Sequence, residues 1–158
     1  MAIDIQKGTH GIGFPSKTLS MMGGAHTFNI LLTADHDNGT LVGRGNWLDI
    51  DKYQEAAVGA TNDFAGVIRM VNPDDSTLFY IEATADSDLL FVYNTPKSEY
   101  AEKDLQDLAL FVNKTGDVVK GYSIRKGDIF MINTTLFNGN PVAGKSLTFK
   151  NGKYVVGQ

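Results

Sequence analysis

The sequence predicts a mainly β protein: an antiparallel β-barrel or sandwich with one short helix and an extended N-terminal arm. Three observations carry that expectation. Between residues 109 and 157, short apolar runs alternate with turns rich in glycine and charge: Lys114-Thr115-Gly116-Asp117, Arg125-Lys126-Gly127-Asp128, Phe137-Asn138-Gly139-Asn140 and Lys150-Asn151-Gly152-Lys153. Strands closed by such turns at this spacing mark an antiparallel domain. Two further runs, Leu78-Phe79-Tyr80-Ile81 and Leu89-Leu90-Phe91-Val92-Tyr93, are apolar at every position, so both of their faces require cover. Residues 1–25 instead carry Gly8, Gly11, Gly13, Gly23, Gly24 and Pro15, with apolar residues isolated among them.

Glycine at that density disfavours an independent helix or central strand. Yet Ile12, Phe14, Leu19, Met21 and Met22 are more apolar groups than a flexible linker carries. Residues 1–25 are therefore read as an arm laid over its own domain or a neighbour's, with those five side chains as its partner-binding anchors. An ordinary first strand is the alternative. A single β domain follows over residues 26–158.

Within that domain Thr27 to Thr33 reads as the first firm strand, and Asp35-His36-Asp37-Asn38-Gly39 as a turn that returns Thr40 to Gly45 as its hairpin partner. Trp47 to Val58 spaces Leu48, Tyr53, Ala56 and Ala57 in a way that suits a short helix or irregular excursion. Gly66 to Val71, Leu78 to Thr84 and Leu89 to Tyr93 are expected to form a meander, its first reversal built on Asn72-Pro73-Asp74-Asp75. Beyond Pro96, the spacing of Ala101, Leu105, Leu108 and Val112 predicts a short amphipathic helix over about 99–108.

Composition excludes several function classes. The 158 residues are 42% hydrophobic and 20% charged, too apolar for a disordered chain. The net charge is −4, and no basic field exists to attract nucleic acid. With no cysteine, disulfides, thiolate nucleophiles and cysteine-ligated metals are all excluded. Met1-Ala2-Ile3-Asp4-Ile5 lacks the basic-then-apolar pattern of a secretory signal, and Leu89 to Tyr93 is far too short to span a bilayer. The expectation is a protein made in a cytoplasm, with neither membrane nor nucleic acid as partner.

Candidate chemistry is sparse. Asp35-His36-Asp37-Asn38-Gly39 is the densest set of metal-ligand types, but glycine stands fifth and Asn46 twelfth where a calcium loop needs glycine sixth and glutamate twelfth. Gly8-Thr9-His10-Gly11-Ile12-Gly13 lacks the strand before it and the lysine after it that a phosphate loop requires. His10, His26 and His36 are dispersed, no Gly-x-Ser-x-Gly elbow occurs, and the pairs Asp49/Asp51, Asp74/Asp75 and Asp86/Asp88 sit in expected turns. The chain is read as having no catalytic centre, cofactor or metal. Trp47, Tyr53, Tyr80, Tyr93, Tyr100, Tyr122 and Tyr154 leave a sugar-stacking platform open as an alternative to core or interface roles.

One longer pattern is distinctive. Asn113-Lys114-Thr115-Gly116-Asp117-Val118 leads through Gly121-Tyr122-Ser123-Ile124 to Gly127-Asp128-Ile129-Phe130, and is preceded by Phe79-Tyr80-Ile81-Glu82-Ala83-Thr84 and Leu90-Phe91-Val92-Tyr93-Asn94. This order, over roughly residues 60–150, resembles the head decoration (cement) and related minor structural proteins of tailed bacteriophages. The resemblance implies a non-enzymatic virion protein, assembled in the host cytoplasm, that binds the outside of the capsid and resists internal pressure. Its implied partners are the major capsid protein and copies of itself, as a trimer or other symmetric cluster. A tail or head-fibre component, or a carbohydrate-binding β module, are the alternative readings.

Overall fold

This computed structural model describes residues 10–18, 27–49, 54–59, 64–94 and 112–157. Their regular structure is almost all strand: β1 (Gly13–Lys17), β2 (Thr27–Leu31), β3 (Leu41–Asp49), β4 (Gln54–Val58), β5 (Gly66–Asn72), β6 (Asp75–Ala83), β7 (Leu90–Tyr93), β8 (Val118–Ser123), β9 (Ile129–Asn133), β10 (Phe137–Asn138), β11 (Ser146–Lys150) and β12 (Lys153–Val156). A single turn of 3-10 helix, Thr134–Leu136, separates β9 from β10. The strands form a seven-stranded sheet in the order β1-β9-β6-β5-β11-β12-β10 and a closed five-stranded barrel, β2-β4-β3-β7-β8. The mainly β architecture is thus as the turn spacing predicts.

The turns follow from local chemistry. In Lys114–Asp117 and Arg125–Asp128 the same device recurs: the final aspartate's carboxylate accepts from the first residue's amide, at 3.1 Å from Lys114 and 2.8 Å from Arg125. Glycine precedes each aspartate because the backbone there turns to φ of 89° and 92°, a region that costs a side-chain-bearing residue dearly. At the β5–β6 reversal the Asn72 side chain accepts from the Asp74 amide at 2.8 Å, an Asx turn that leaves proline in the second position.

Strand pairing departs from the expected order in three places. β2 does not pair with β3; it lies parallel to β4 and antiparallel to β8, so β4 intervenes. Within 47–58 the described residues are strand, and 50–53 lie outside the described residues. Trp47 to Asp49 continue β3, and Gln54–Val58 returns as β4, with two shifts of register in the pairing of the two strands. β7 leaves the β5–β6 sheet altogether and enters the barrel between β3 and β8. The helix expected over 99–108 lies outside the described residues.

Burial explains why β7 crosses over. The barrel interior is filled by Ile30, Leu32, Val42, Ala57, Leu90, Val92 and Val119. A second core lies between the barrel wall and the sheet, and takes Leu41, Leu89 and Phe91 from the barrel side with Ile68, Ile81, Phe130, Ile132, Leu147, Phe149 and Tyr154. Successive residues of β7 therefore serve alternate cores, as the two-residue period of a strand requires. The second cover that its apolar run demands is the chain's own sheet. Phe91 meets Phe130 at 5.0 Å between ring centroids, and Tyr154 stands edge-on to Phe149 at 4.9 Å.

Residues 10–18 also belong to this body. β1 pairs antiparallel with β9, and the Ile12 amide donates to Asn133 Oδ1 at 3.0 Å while Asn133 N donates to the Ile12 carbonyl at 2.9 Å. Gly13 crosses so close to Gly39 that a Cβ would come within 2.3 Å of the Gly39 Cα. Tyr154 locks the same turn, its buried hydroxyl donating to the Gly39 carbonyl at 2.6 Å. Burial holds the Tyr154 phenol protonated well above the usual tyrosine range.

Because β7 serves both cores, damage to either should appear in one cooperative transition. Phe91→Ala, on the sheet side, is expected to cost about 3–5 kcal/mol, and Leu90→Ala, on the barrel side, about 2–5 kcal/mol. Urea unfolding followed by both tyrosine fluorescence and far-UV circular dichroism should give coincident transitions for each variant; separated transitions would show independent cores.

Candidate functional site

Three places gather the features that can meet another molecule. The first is the turn at residues 35–40, which the sequence marks as its densest set of polar ligand types. Here Asn38 is buried and receives the Asn94 amide at 3.0 Å and the Asn113 side chain at 3.0 Å on one oxygen, while donating to the Asn94 carbonyl at 2.7 Å. His36 and Asn113 exchange backbone hydrogen bonds at 2.8 and 2.9 Å. Asp35 accepts from the amide and hydroxyl of Thr115 at 2.9 and 3.1 Å, which holds its carboxyl below the usual range, and pairs with Lys114 at 3.3 Å. The cluster ties the barrel's β8 end to the turn.

His10 comes to this turn from the N-terminal segment, a meeting no local spacing announces. Its Nδ1 lies 2.7 Å from Asp37 Oδ1, and the Gly11 amide donates to Asp37 Oδ2 at 2.7 Å. One carboxylate thereby anchors the start of β1. His10, His36, Thr40 and Lys114 line a shallow recess of about 270 Å³. No group of three or more His, Asp or Glu among the described residues is placed to hold a metal ion. Asp37's carboxylate is committed to holding chain rather than ligand.

The second place is the outer face of the seven-stranded sheet. Phe79 and Ile81 face the core, so Tyr80 between them points the other way. Cross-strand register then aligns Phe14, Met131, Tyr80 and Met70 in one row over β1, β9, β6 and β5. Met70 is 47% exposed, and the other three are half-buried. An open recess of about 580 Å³ runs beside the row, lined by Ser16, Arg69, Met70, Pro73, Tyr80 and Ile129. An ion pair between Arg69 and Glu82 borders it. A contiguous apolar sheet face of this kind is the usual mark of an interaction surface.

The third place is the mouth of the barrel, where Trp47 stands 47% exposed. Among the other candidate stacking aromatics, Tyr154 is fully buried, Tyr93 and Tyr122 pack against the sheet core, and Tyr80 lies on the outer face. Tyr53 and Tyr100 lie outside the described residues. Of the arm anchors, Ile12 and Phe14 are half-buried on the chain's own domain, where Phe14 meets Tyr93 at 6.1 Å between rings. Both keep part of their surface open to solvent. Leu19, Met21 and Met22 lie outside the described residues. Of the paired carboxylates, Asp75 bonds Thr77, Asp86 accepts from the Lys126 amide at 2.9 Å, Asp49 ends β3, and Asp51 lies outside the described residues.

The sequence singles out the apolar run of β6, and that signal leads directly to the outer face. The His10–Asp37 contact and the Phe14–Met131–Tyr80–Met70 row depend on which strands become neighbours, for which the chain carries no short-range signal.

The turn at 35–40 predicts a pH dependence. Burial pushes the His36 imidazole below its ordinary value, against the opposing charges of Asp37 and Asp35. The unfolded chain therefore takes up the proton first as pH falls, so stability is full above about pH 6.5 and declines as pH drops through the folded-state value. His36→Gln should flatten that decline, measured as melting temperature between about pH 7.5 and pH 5; an unchanged slope would place the acid sensitivity elsewhere.

No protein-family model matches the chain, and no curated protein or solved structure matches it.

Proposed function

We propose that this chain is a non-enzymatic structural protein of a phage virion, a decoration protein that binds the outside of the head and stabilises it. The observation that carries the reading is the apolar outer face of the seven-stranded sheet. Its row of Phe14, Met131, Tyr80 and Met70 runs across four neighbouring strands, with Met70 47% exposed and the other three half-buried. Burying one such side chain is worth about 1.5–3 kcal/mol, so a partner of matching shape gains substantially from covering several.

The edges of the sheet support docking by face rather than by strand addition. β1 carries Pro15 and a register shift between Phe14 and Lys17, with Ser16 at φ 32°, and β10 is two residues long. Both devices blunt an edge against further pairing. The partners on this reading are the major capsid protein and further copies of the chain, with a trimer favoured by the family resemblance. A head-fibre or tail component would use the same face in the same way, and localisation to the capsid surface distinguishes them.

Met70→Glu tests the proposal. A charge at an exposed sheet position should leave folding within about 0.5 kcal/mol of the parent, while desolvating that carboxylate at an interface should lower particle binding by tenfold or more (about 1.4 kcal/mol or above). Co-sedimentation of the purified chain with undecorated heads of its phage reads this directly. Undiminished binding by the folded variant would move the docking surface off this face; absence of binding by the parent chain would reject the decoration role.

A further inference from the structure

The mouth of the barrel is organised differently from its interior. Val42 and Ala57 fill the inside, and two residues further along the same inner faces stand Arg44 on β3 and Glu55 on β4. Glu55 is buried, at 1% exposure, and accepts two parallel bonds from Arg44, at 2.9 Å from Nε and 2.7 Å from Nη2. The guanidinium lies over the Phe28 ring at 4.1 Å from its centroid. Asp88, just before β7, is close enough for its charge to favour the Arg44 cation. The register shift after Arg44 sets Trp47 opposite Glu55, with the residue 47% exposed. Between these groups opens a recess of about 400 Å³ lined by Gly43, Arg44, Trp47, Glu55, Val58 and Asp88.

We propose that this recess binds a neutral saccharide, with the C–H face of one sugar ring against Trp47 and its hydroxyl edge on the Arg44–Glu55 fork and Asp88. The chemistry of the lining selects that class. An aromatic face carries partial negative charge and favours the weakly positive hydrogens of an apolar edge. An arginine–carboxylate fork presents donors and acceptors side by side in one plane. Arg44 has five N–H donors, of which two are directed to Glu55, and each Glu55 oxygen has capacity beyond the one bond it accepts there. Adjacent sugar hydroxyls, each both donor and acceptor, match such an array.

Other classes fit less well. An anion would face two carboxylates and a single guanidinium. A cation would find one of the two carboxylates, Glu55, already engaged by the two bonds from Arg44, and the guanidinium beside it. A purely apolar ligand would strip water from three charged groups without replacing its hydrogen bonds. The fork is also rigid before any ligand arrives: Glu55 is buried, doubly bonded and set on a strand, so little ordering cost remains for binding. A sugar site opening from the barrel and an apolar docking face on the sheet occupy different parts of the chain, so either can exist without the other.

Trp47 is the sole tryptophan, which makes its emission a direct reporter. The full chain is titrated with neutral oligosaccharides of glucose, galactose, mannose, N-acetylglucosamine and N-acetylgalactosamine, followed by tryptophan emission and by calorimetry. At least one should give a saturable change. Trp47→Ala and Asp88→Asn should both leave a folded chain with a cooperative melt and lose about tenfold or more in calorimetric affinity. Absence of a saturable response to every sugar in the panel overturns the proposal. So does a sugar affinity that survives Trp47→Ala, since binding would then lie elsewhere on the chain.

Discussion

Strand β7 has to satisfy two hydrophobic cores at once, and the rest of the molecule is arranged around that requirement. Its four residues alternate between the barrel interior and the layer against the sheet. A strand of this kind cannot sit at a surface, because neither face tolerates water. β3 shares the burden through Leu41 and Val42, which also point to opposite cores. The two strands are hydrogen-bonded neighbours, so they form a common wall that cannot be removed from one half without opening the other. Gly39, at the end of the turn that feeds β3, is held from both sides: its amide donates to the Val92 carbonyl at 2.8 Å and its carbonyl accepts from Tyr154.

That wall determines which surfaces are left for other work. The barrel has no edges to offer, and the sheet's two edges are a bulged strand and a two-residue strand. Backbone pairing with a partner is therefore disfavoured, and recognition falls to side chains on faces and at openings. The apolar row across β1, β9, β6 and β5 and the polar, tryptophan-bearing mouth of the barrel are chemically opposite surfaces. The first suits a protein partner of matching shape, the second a hydrated ligand.

Local chemistry in the sequence foretells local structure well and neighbours poorly. Every glycine–aspartate turn between residues 114 and 128 closes as its residues dictate, because the bonds that stabilise it lie within four residues of one another. The continuous apolar run of β7 correctly demands cover on two sides. What covers it is a matter of topology, and a run of leucine, phenylalanine and valine looks the same whether its second face meets another subunit or the chain's own sheet. The pairing of β3 with β4 is hard to read for a related reason: register shifts displace side chains from the strict alternation that marks a strand. The Arg44–Glu55 fork was illegible in the same way, since eleven positions separate its members and only the return of β4 beside β3 joins them.

The contact between Ile12 and Asn133 spans 121 positions of chain, and it carries a kinetic consequence. A pairing so distant in sequence forms only after the intervening loop has closed, which puts it among the late events of folding and places such topologies in the slow, millisecond-to-second class. On a ribosome β1 emerges well before β9, its only sheet neighbour among the described strands, and must wait until the intervening strands have been made. The first of the described strands is therefore among the last to find its place. Until it does, the backbone of β9 presents an open edge, and the nascent chain is at its most adhesive in that interval.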